Sequence, residues 1–190
     1  AVWALAQSPY LITDTLQIPE GITLQIEEGV VVKCANQVSY CFLVHGSVSA
    51  EGSKNNPIIF DANTKLLFSQ LNAPDTMLIT LNNTHINNSG GIIGGDDSGH
   101  GRGSLQLINS TVTKMTRASQ ILRPRGSKVI IQKNIFIDSK GFLFGDNSLN
   151  QGISIINNRF VSKYGGTGSW IETKWIESGM TIRDNSFLSE

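Results

Sequence analysis

Two stretches decide the fold: Ile131-Gln132-Lys133-Asn134-Ile135-Phe136 and Ile155-Ile156-Asn157-Asn158-Arg159-Phe160. Each runs apolar-x-x-Asn-x-apolar. The same pattern, with Asn, Ser or Thr at its centre, recurs in Leu81–Thr84–Ile86, Leu107–Ser110–Val112 and Ile182–Asn185–Phe187. From first to last, the polar position returns after 26, 24, 24 and 27 residues. That period is too short for βα units and too irregular for a helical array. It suits one coil of a β-solenoid, where each turn stacks on the last. In such a stack the outer apolar residues enter a shared core. The central Asn, Ser or Thr can hydrogen-bond to the same position of the next coil, roughly 4.8 Å away. A β-sandwich with Asn-rich turns is the alternative. The expected fold is therefore all-β, a parallel β-helix (β-solenoid) with roughly 22–27 residues per coil.

Composition narrows the field further. A chain of 190 residues makes one domain with a sizeable core. Its 15 basic and 15 acidic side chains cancel, so it has no electrostatic reason to seek nucleic acid or an anionic membrane. No apolar run approaches the roughly 18 residues needed to insert across a bilayer. It begins at Ala1 without a basic leader, which suggests a removed signal peptide or a piece of a longer chain. Abundant Gly and Asn suit corners that need positive φ.

The N-terminal third carries more specific wording. It reads Trp3, Ser8-Pro9-Tyr10-Leu11-Ile12-Thr13, then Ile18-Pro19-Glu20-Gly21-Ile22-Thr23-Leu24-Gln25-Ile26-Glu27-Glu28-Gly29-Val30-Val31-Val32-Lys33. Leu43-Val44-His45-Gly46-Ser47-Val48-Ser49-Ala50-Glu51-Gly52 and Asn56-Pro57-Ile58-Ile59-Phe60 follow. Thr23-Leu24-Gln25-Ile26 alternates as a half-buried strand should. Gly21 and Gly29 are expected at corners, Val30-Val31-Val32 in a strand, and Pro19 and Pro57 at strand starts. This wording resembles the opening coils of right-handed parallel β-helix proteins of the pectin-lyase-like superfamily, in particular their secreted and cell-surface members. The resemblance implies one β-helix domain over 1–190: a cap region at 1–15, first coils at 16–76, and ladder coils at 77–190. Trp3 and Tyr10 would cover the first coil, since an uncapped end exposes core and strand edge.

Secretion favours a disulfide between Cys34 and Cys41, with a pair of free buried thiols as the alternative. Two sulfurs with no second pair nearby fall short of a four-ligand metal site. Sequons start at Asn82, Asn87 and Asn109. In a eukaryotic secretory pathway these are candidate N-glycosylation sites, though two lie beside the ladder position.

The most chemical-looking segment is Gly94-Gly95-Asp96-Asp97-Ser98-Gly99-His100-Gly101-Arg102-Gly103. Polygalacturonases of the same superfamily use Asp-Asp, His-Gly and an Arg-x-Lys, but on successive coils. Their chemistry needs carboxylates on opposite sides of the scissile bond. Here Asp96, Asp97, His100 and Arg102 crowd into one loop, a candidate ligand loop rather than a catalytic set. Its oxygens would make at most a weak calcium site, because calcium wants six to eight. No cofactor is expected. A pectate lyase would need a basic residue of lowered pKa and a cluster of acids one coil away. Arg102, Arg117, Arg123, Arg125 and Lys128 offer bases, but Asp138, Asp146 and Asp184 are scattered.

Tyr164, Trp170 and Trp175 could stack on sugar rings, or else pack against the solenoid. Ice binding would need Thr rows through the coils, and only Thr111-Val112-Thr113 provides such a unit. The expectation is a secreted, non-catalytic structural or recognition module of a surface protein, filament or adhesin. A polysaccharide lyase, a glycoside hydrolase, or a sugar- or ice-binding wall is the alternative. Glu190 follows Phe187 by three residues, so the last coil should be covered by further coils or by a subunit stacked end to end. Polysaccharide is a further candidate partner.

Overall fold

The computed structural model describes residues 1–69, 74, 77–94, 103–122, 128–147, 152–162, 170–176 and 179–189. These form an all-β solenoid in which every strand pairing is parallel. The only helical turn among them is a short 3-10 turn at Leu5–Gln7. One eight-stranded sheet runs Val2–Trp3, Thr23–Ile26, Ser47–Glu51, Leu78–Asn82, Ser104–Ile108, Val129–Gln132, Ile153–Ile156 and Met180–Arg183. The second eight-stranded sheet runs Tyr10–Ile12, Val31–Cys34, Ile58–Asp61, Thr84–Asn87, Thr111–Thr113, Ile135–Ile137, Arg159–Ser162 and Ser186–Ser189. A third wall comes in two pieces. Leu16–Ile18, Tyr40–Val44, Leu66–Ser69 and Gly91–Gly94 make a four-stranded sheet; Ser119–Leu122, Phe142–Asn147 and Ile171–Ile176 make a three-stranded one.

The expected ladder and column are both present. Thr84, Ser110, Asn134 and Asn158 are buried in one line, with Asn185 below them. Each backbone N–H donates to the side-chain oxygen one rung below: Ser110 to Asn134 Oδ1 at 2.9 Å, Asn134 to Asn158 Oδ1 at 3.0 Å, Asn158 to Asn185 Oδ1 at 2.9 Å. Each asparagine amide also donates upward, to Leu107, Ile131 and Ile155 carbonyls, all at 2.8 Å. Two residues on, Ile86, Val112, Phe136, Phe160 and Phe187 pair in register. The rings of Phe136, Phe160 and Phe187 lie nearly parallel, with centroids 4.7 and 5.0 Å apart.

The turn into the ladder has its own rule. The residue just before each ladder asparagine or serine takes positive φ: Asn109, Lys133, Asn157 and Asp184, at 51–57°. Asn83 at 49° does the same before Thr84. One left-handed residue is enough to bend the chain from the first sheet to the second, and Asn and Asp tolerate it best. Lys133 is the poor fit. Exchanging this exposed residue, Lys133→Asn, is expected to raise stability by about 0.5–1 kcal/mol. A higher urea midpoint with an unchanged slope would show it.

A second corner repeats the device, with Asn88, Lys114 and Asp138 at positive φ before Ser89, Met115 and Ser139. Here the polar line is broken. The Met115 N–H reaches Ser139 Oγ, but Ser89 Oγ is buried with no hydrogen-bond partner among the described residues.

Two expectations need correction. Coil length is not confined to 22–27 residues: Ser47 pairs with Leu78, 31 positions on. The cause is the corner at 52–57, where the next rung turns on Asn83 alone. The expected cap, 1–15, is built as the first coil, its strands hydrogen-bonded into both large sheets. Covering is done from inside by Trp3, stacked on Tyr10 at 4.4 Å and tilted against Phe42 at 5.9 Å. Gly21 and Gly29 do take corner positions, at φ +75° and +77°. Pro57 immediately precedes a strand, whereas Pro19 opens a turn closed by the Ile22 N–H.

Candidate functional site

Cys34 ends a strand of the second sheet and Cys41 lies in the next strand, of the third wall. The two are joined by a disulfide across a Cα–Cα distance of 5.8 Å. The bridge pins the corner at 35–40, so Asn36, Gln37 and Ser39 hold their places at the head of a groove. The pinned loop is further tied to its neighbours: Gln37 Nε2 donates to the Thr13 carbonyl at 3.1 Å, and Asn63 Nδ2 donates to Asn36 Oδ1 at 2.6 Å.

This groove, of about 570 Å³, crosses the same corner of successive rungs, from Asn36 through Thr64 and Lys65 to Gly90 and Arg117. Gly90 is required by closeness: a Cβ there would sit 2.5 Å from the Thr64 carbonyl oxygen. Two cationic side chains, Lys65 and Arg117, line the groove, and no carboxylate does among the described residues. The arrangement can offer hydrogen bonds and positive charge to an extended polar ligand. Reading along the chain could not find it, because its walls come from residues some 25 positions apart that meet only through the rung register.

Asp96, Asp97, His100 and Arg102, the candidate ligand loop, lie outside the described residues, as do Arg123, Arg125 and Tyr164. Among the described residues, no three His, Cys, Asp or Glu side chains gather into a possible metal set. Asp138 and Asp184 are explained by their corners, where both hold positive φ. Trp170 is half-buried and packs with the core, 5.3 Å from Phe187 and 6.1 Å from Phe160. Its ring thus packs beside the Phe160–Phe187 column. Trp175 lies in the strand Ile171–Ile176, whose side chains at that point are not described.

The sequon asparagines are tied into the surface. Asn109 Nδ2 donates to Asn82 Oδ1 at 3.0 Å, and Thr113 Oγ1 donates to Asn87 Oδ1 at 2.8 Å. Thr84 and Ser89, the hydroxyl residues of two sequons, are buried; Asn109 is the exposed asparagine. The register also places His85, Ile135 and Arg159 in line with Thr111, so no threonine row forms there.

Compared with known proteins, the chain matches no family model, no curated protein and no solved structure. What the geometry defines is a class of architecture, a parallel β-solenoid with an internal polar ladder and one disulfide-pinned corner.

Proposed function

We propose that the chain is a non-catalytic structural or recognition module of a secreted surface protein, filament or adhesin. The carrying observation is the direction of its polar repeat. The Thr, Ser and Asn side chains that recur from rung to rung point inward and hold adjacent rungs together. The repeat thus serves length and stiffness. The disulfide supports an oxidising compartment, where such bonds persist. The pectin-lyase-like resemblance of residues 3–60 supports the same placement.

The groove favours a second reading, a polysaccharide-binding wall. Lys65 and Arg117 would face carboxylated sugars, and the hydrogen-bonding corners would meet hydroxyls.

One experiment separates these readings from an enzyme. The chain is incubated with pectate and with other acidic polysaccharides, with and without calcium. Ultraviolet absorbance and reducing ends report cleavage; co-sedimentation reports binding. The structural reading expects neither cleavage nor binding. Binding lost in Lys65→Glu/Arg117→Glu would move the assignment to the wall. Calcium-dependent unsaturated products, abolished by Asp97→Asn, would overturn both.

A further inference from the structure

The zero net charge conceals a strong division along the chain. Residues 1–100 carry three Lys and nine Asp or Glu, whereas residues 101–163 carry ten Lys or Arg and two Asp. On the solenoid this becomes an acidic end and a basic band. Asp14, Glu20, Glu27, Glu28 and Glu51 are all exposed on the first rungs. The band falls on the rungs that hold Thr111–Thr113, Ile135–Ile137 and Arg159–Ser162 in the second sheet.

Two of its cations sit where the backbone does not favour them. Of the ten non-glycine residues at positive φ, seven are Asn or Asp; Lys114 at 55° and Lys133 at 56° are two of the other three. Their counterparts one rung away are Asn88 and Asp138 for Lys114, and Asn109 and Asn157 for Lys133. A lysine in a left-handed turn costs stability that an asparagine would not, and such strain collects at functional sites. The two lysines flank one wall. Lys133 and Arg159 stand exposed at the edge beside the ladder; Lys114 stands exposed at the opposite edge, with Arg117 and Lys140 just past it. Between the edges, three-residue strands spanning about 10 Å present Thr111, Thr113 and Ile135, the last 41% exposed. One carboxylate, Asp138, lies at the second edge.

We infer that this wall binds a linear acidic polysaccharide. Its carboxylate or sulfate groups meet the cations of the two edges, and its sugar rings lie over Thr111, Thr113 and Ile135. The ligand class follows from the surroundings. Among the described residues, the outward positions of the wall carry no aromatic ring, so nothing there stacks a base or anchors in a lipid headgroup layer. Hydroxyls and cations around a small apolar step match a charged glycan instead. The disulfide supports a secreted setting, where such glycans are met. The inference rests on the polysaccharide-binding reading above and gives it a second, broader surface, joined to the groove through Arg117.

Titration calorimetry of the full chain with polygalacturonate and with dextran sulfate, without calcium and over a salt series, tests this. Binding of either supports the wall and names its anion, and that binding should weaken as salt rises. Neutral dextran should not bind. Lys114→Gly/Lys133→Asn removes two charges with residues that suit left-handed corners, so it should keep the fold, which circular dichroism checks, and bind about ten-fold more weakly. Lys33→Gln/Lys54→Gln removes two charges from the acidic end and should stay within about two-fold of wild type. Equal losses in the two pairs, unchanged affinity in Lys114→Gly/Lys133→Asn, or tighter binding to duplex DNA or phosphatidylserine vesicles would each overturn the proposal. If Lys114→Gly/Lys133→Asn does not fold, Lys133→Asn/Arg159→Gln carries the same expectation. Binding of neither glycan would overturn the wall and the polysaccharide reading together. Binding lost in Lys65→Glu/Arg117→Glu but kept in Lys114→Gly/Lys133→Asn would overturn the wall alone.

Discussion

Phe160→Ala is expected to destabilise the fold by about 3–5 kcal/mol, as truncation of a fully buried aromatic does. Phe160 is 0% exposed and is held on both faces by parallel rings, Phe136 above and Phe187 below. Trp170 tilts against it at 6.1 Å. Removing the ring therefore opens a gap between two stacked neighbours whose backbones are fixed by parallel pairing, so the site has little freedom to collapse. Phe187→Ala is the internal control. Its ring is half exposed in the isolated chain, and its truncation should cost clearly less. Chemical denaturation of both variants checks the order. Equal losses would show that the column does not pack as a unit.

Asn158→Ala should destabilise by a comparable amount, about 3–4 kcal/mol, through a different mechanism. Asn158 Oδ1 accepts both the backbone N–H and the side-chain amide of Asn134, each at 3.0 Å. Its own amide donates to the Ile131 carbonyl at 2.8 Å and to Asn185 Oδ1 at 2.9 Å. Alanine removes all of these bonds, leaves the Asn134 N–H buried without an acceptor at about 1–3 kcal/mol, and leaves the Asn134 amide with the Leu107 carbonyl alone. Asn158→Ser should recover part of the loss, because Ser110 fills the same ladder position and accepts the Thr84 N–H. Amide hydrogen exchange gives the sharper test. The Asn134 N–H should lose protection in Asn158→Ala and regain it in Asn158→Ser.

Both effects trace to a repeat that is readable in the chain. Ladder and column lie at fixed offsets within six residues, so local spacing alone marks them. The disulfide was legible for a similar reason, since Cys34 and Cys41 flank one short turn. The second and third coils carry no polar ladder residue. Val30 and Ile58 fill the corresponding buried positions, and the corners there are loops of unequal length, which hides the period. Only the N-terminal wording pointed to them.

The left-handed corners were harder to see. A single Asn, Lys or Asp at positive φ resembles any polar turn residue until its place before the ladder is known. The role of Trp170 was equally hidden. An aromatic beside a Gly-rich segment can face either way, and here the open space beside Phe160 and Phe187 draws it inward.

By itself, then, the sequence determined the coil, the inward polar line, the stacked aromatics and the cysteine pair, because each depends on neighbours a few residues apart. Tertiary structure decided the rest: that residues 1–15 form a rung, and that a groove runs from Asn36 to Arg117. Those features depend on the cumulative register of parallel rungs, where one longer corner shifts every later pairing along the chain without disturbing the hydrogen bonds that stack it.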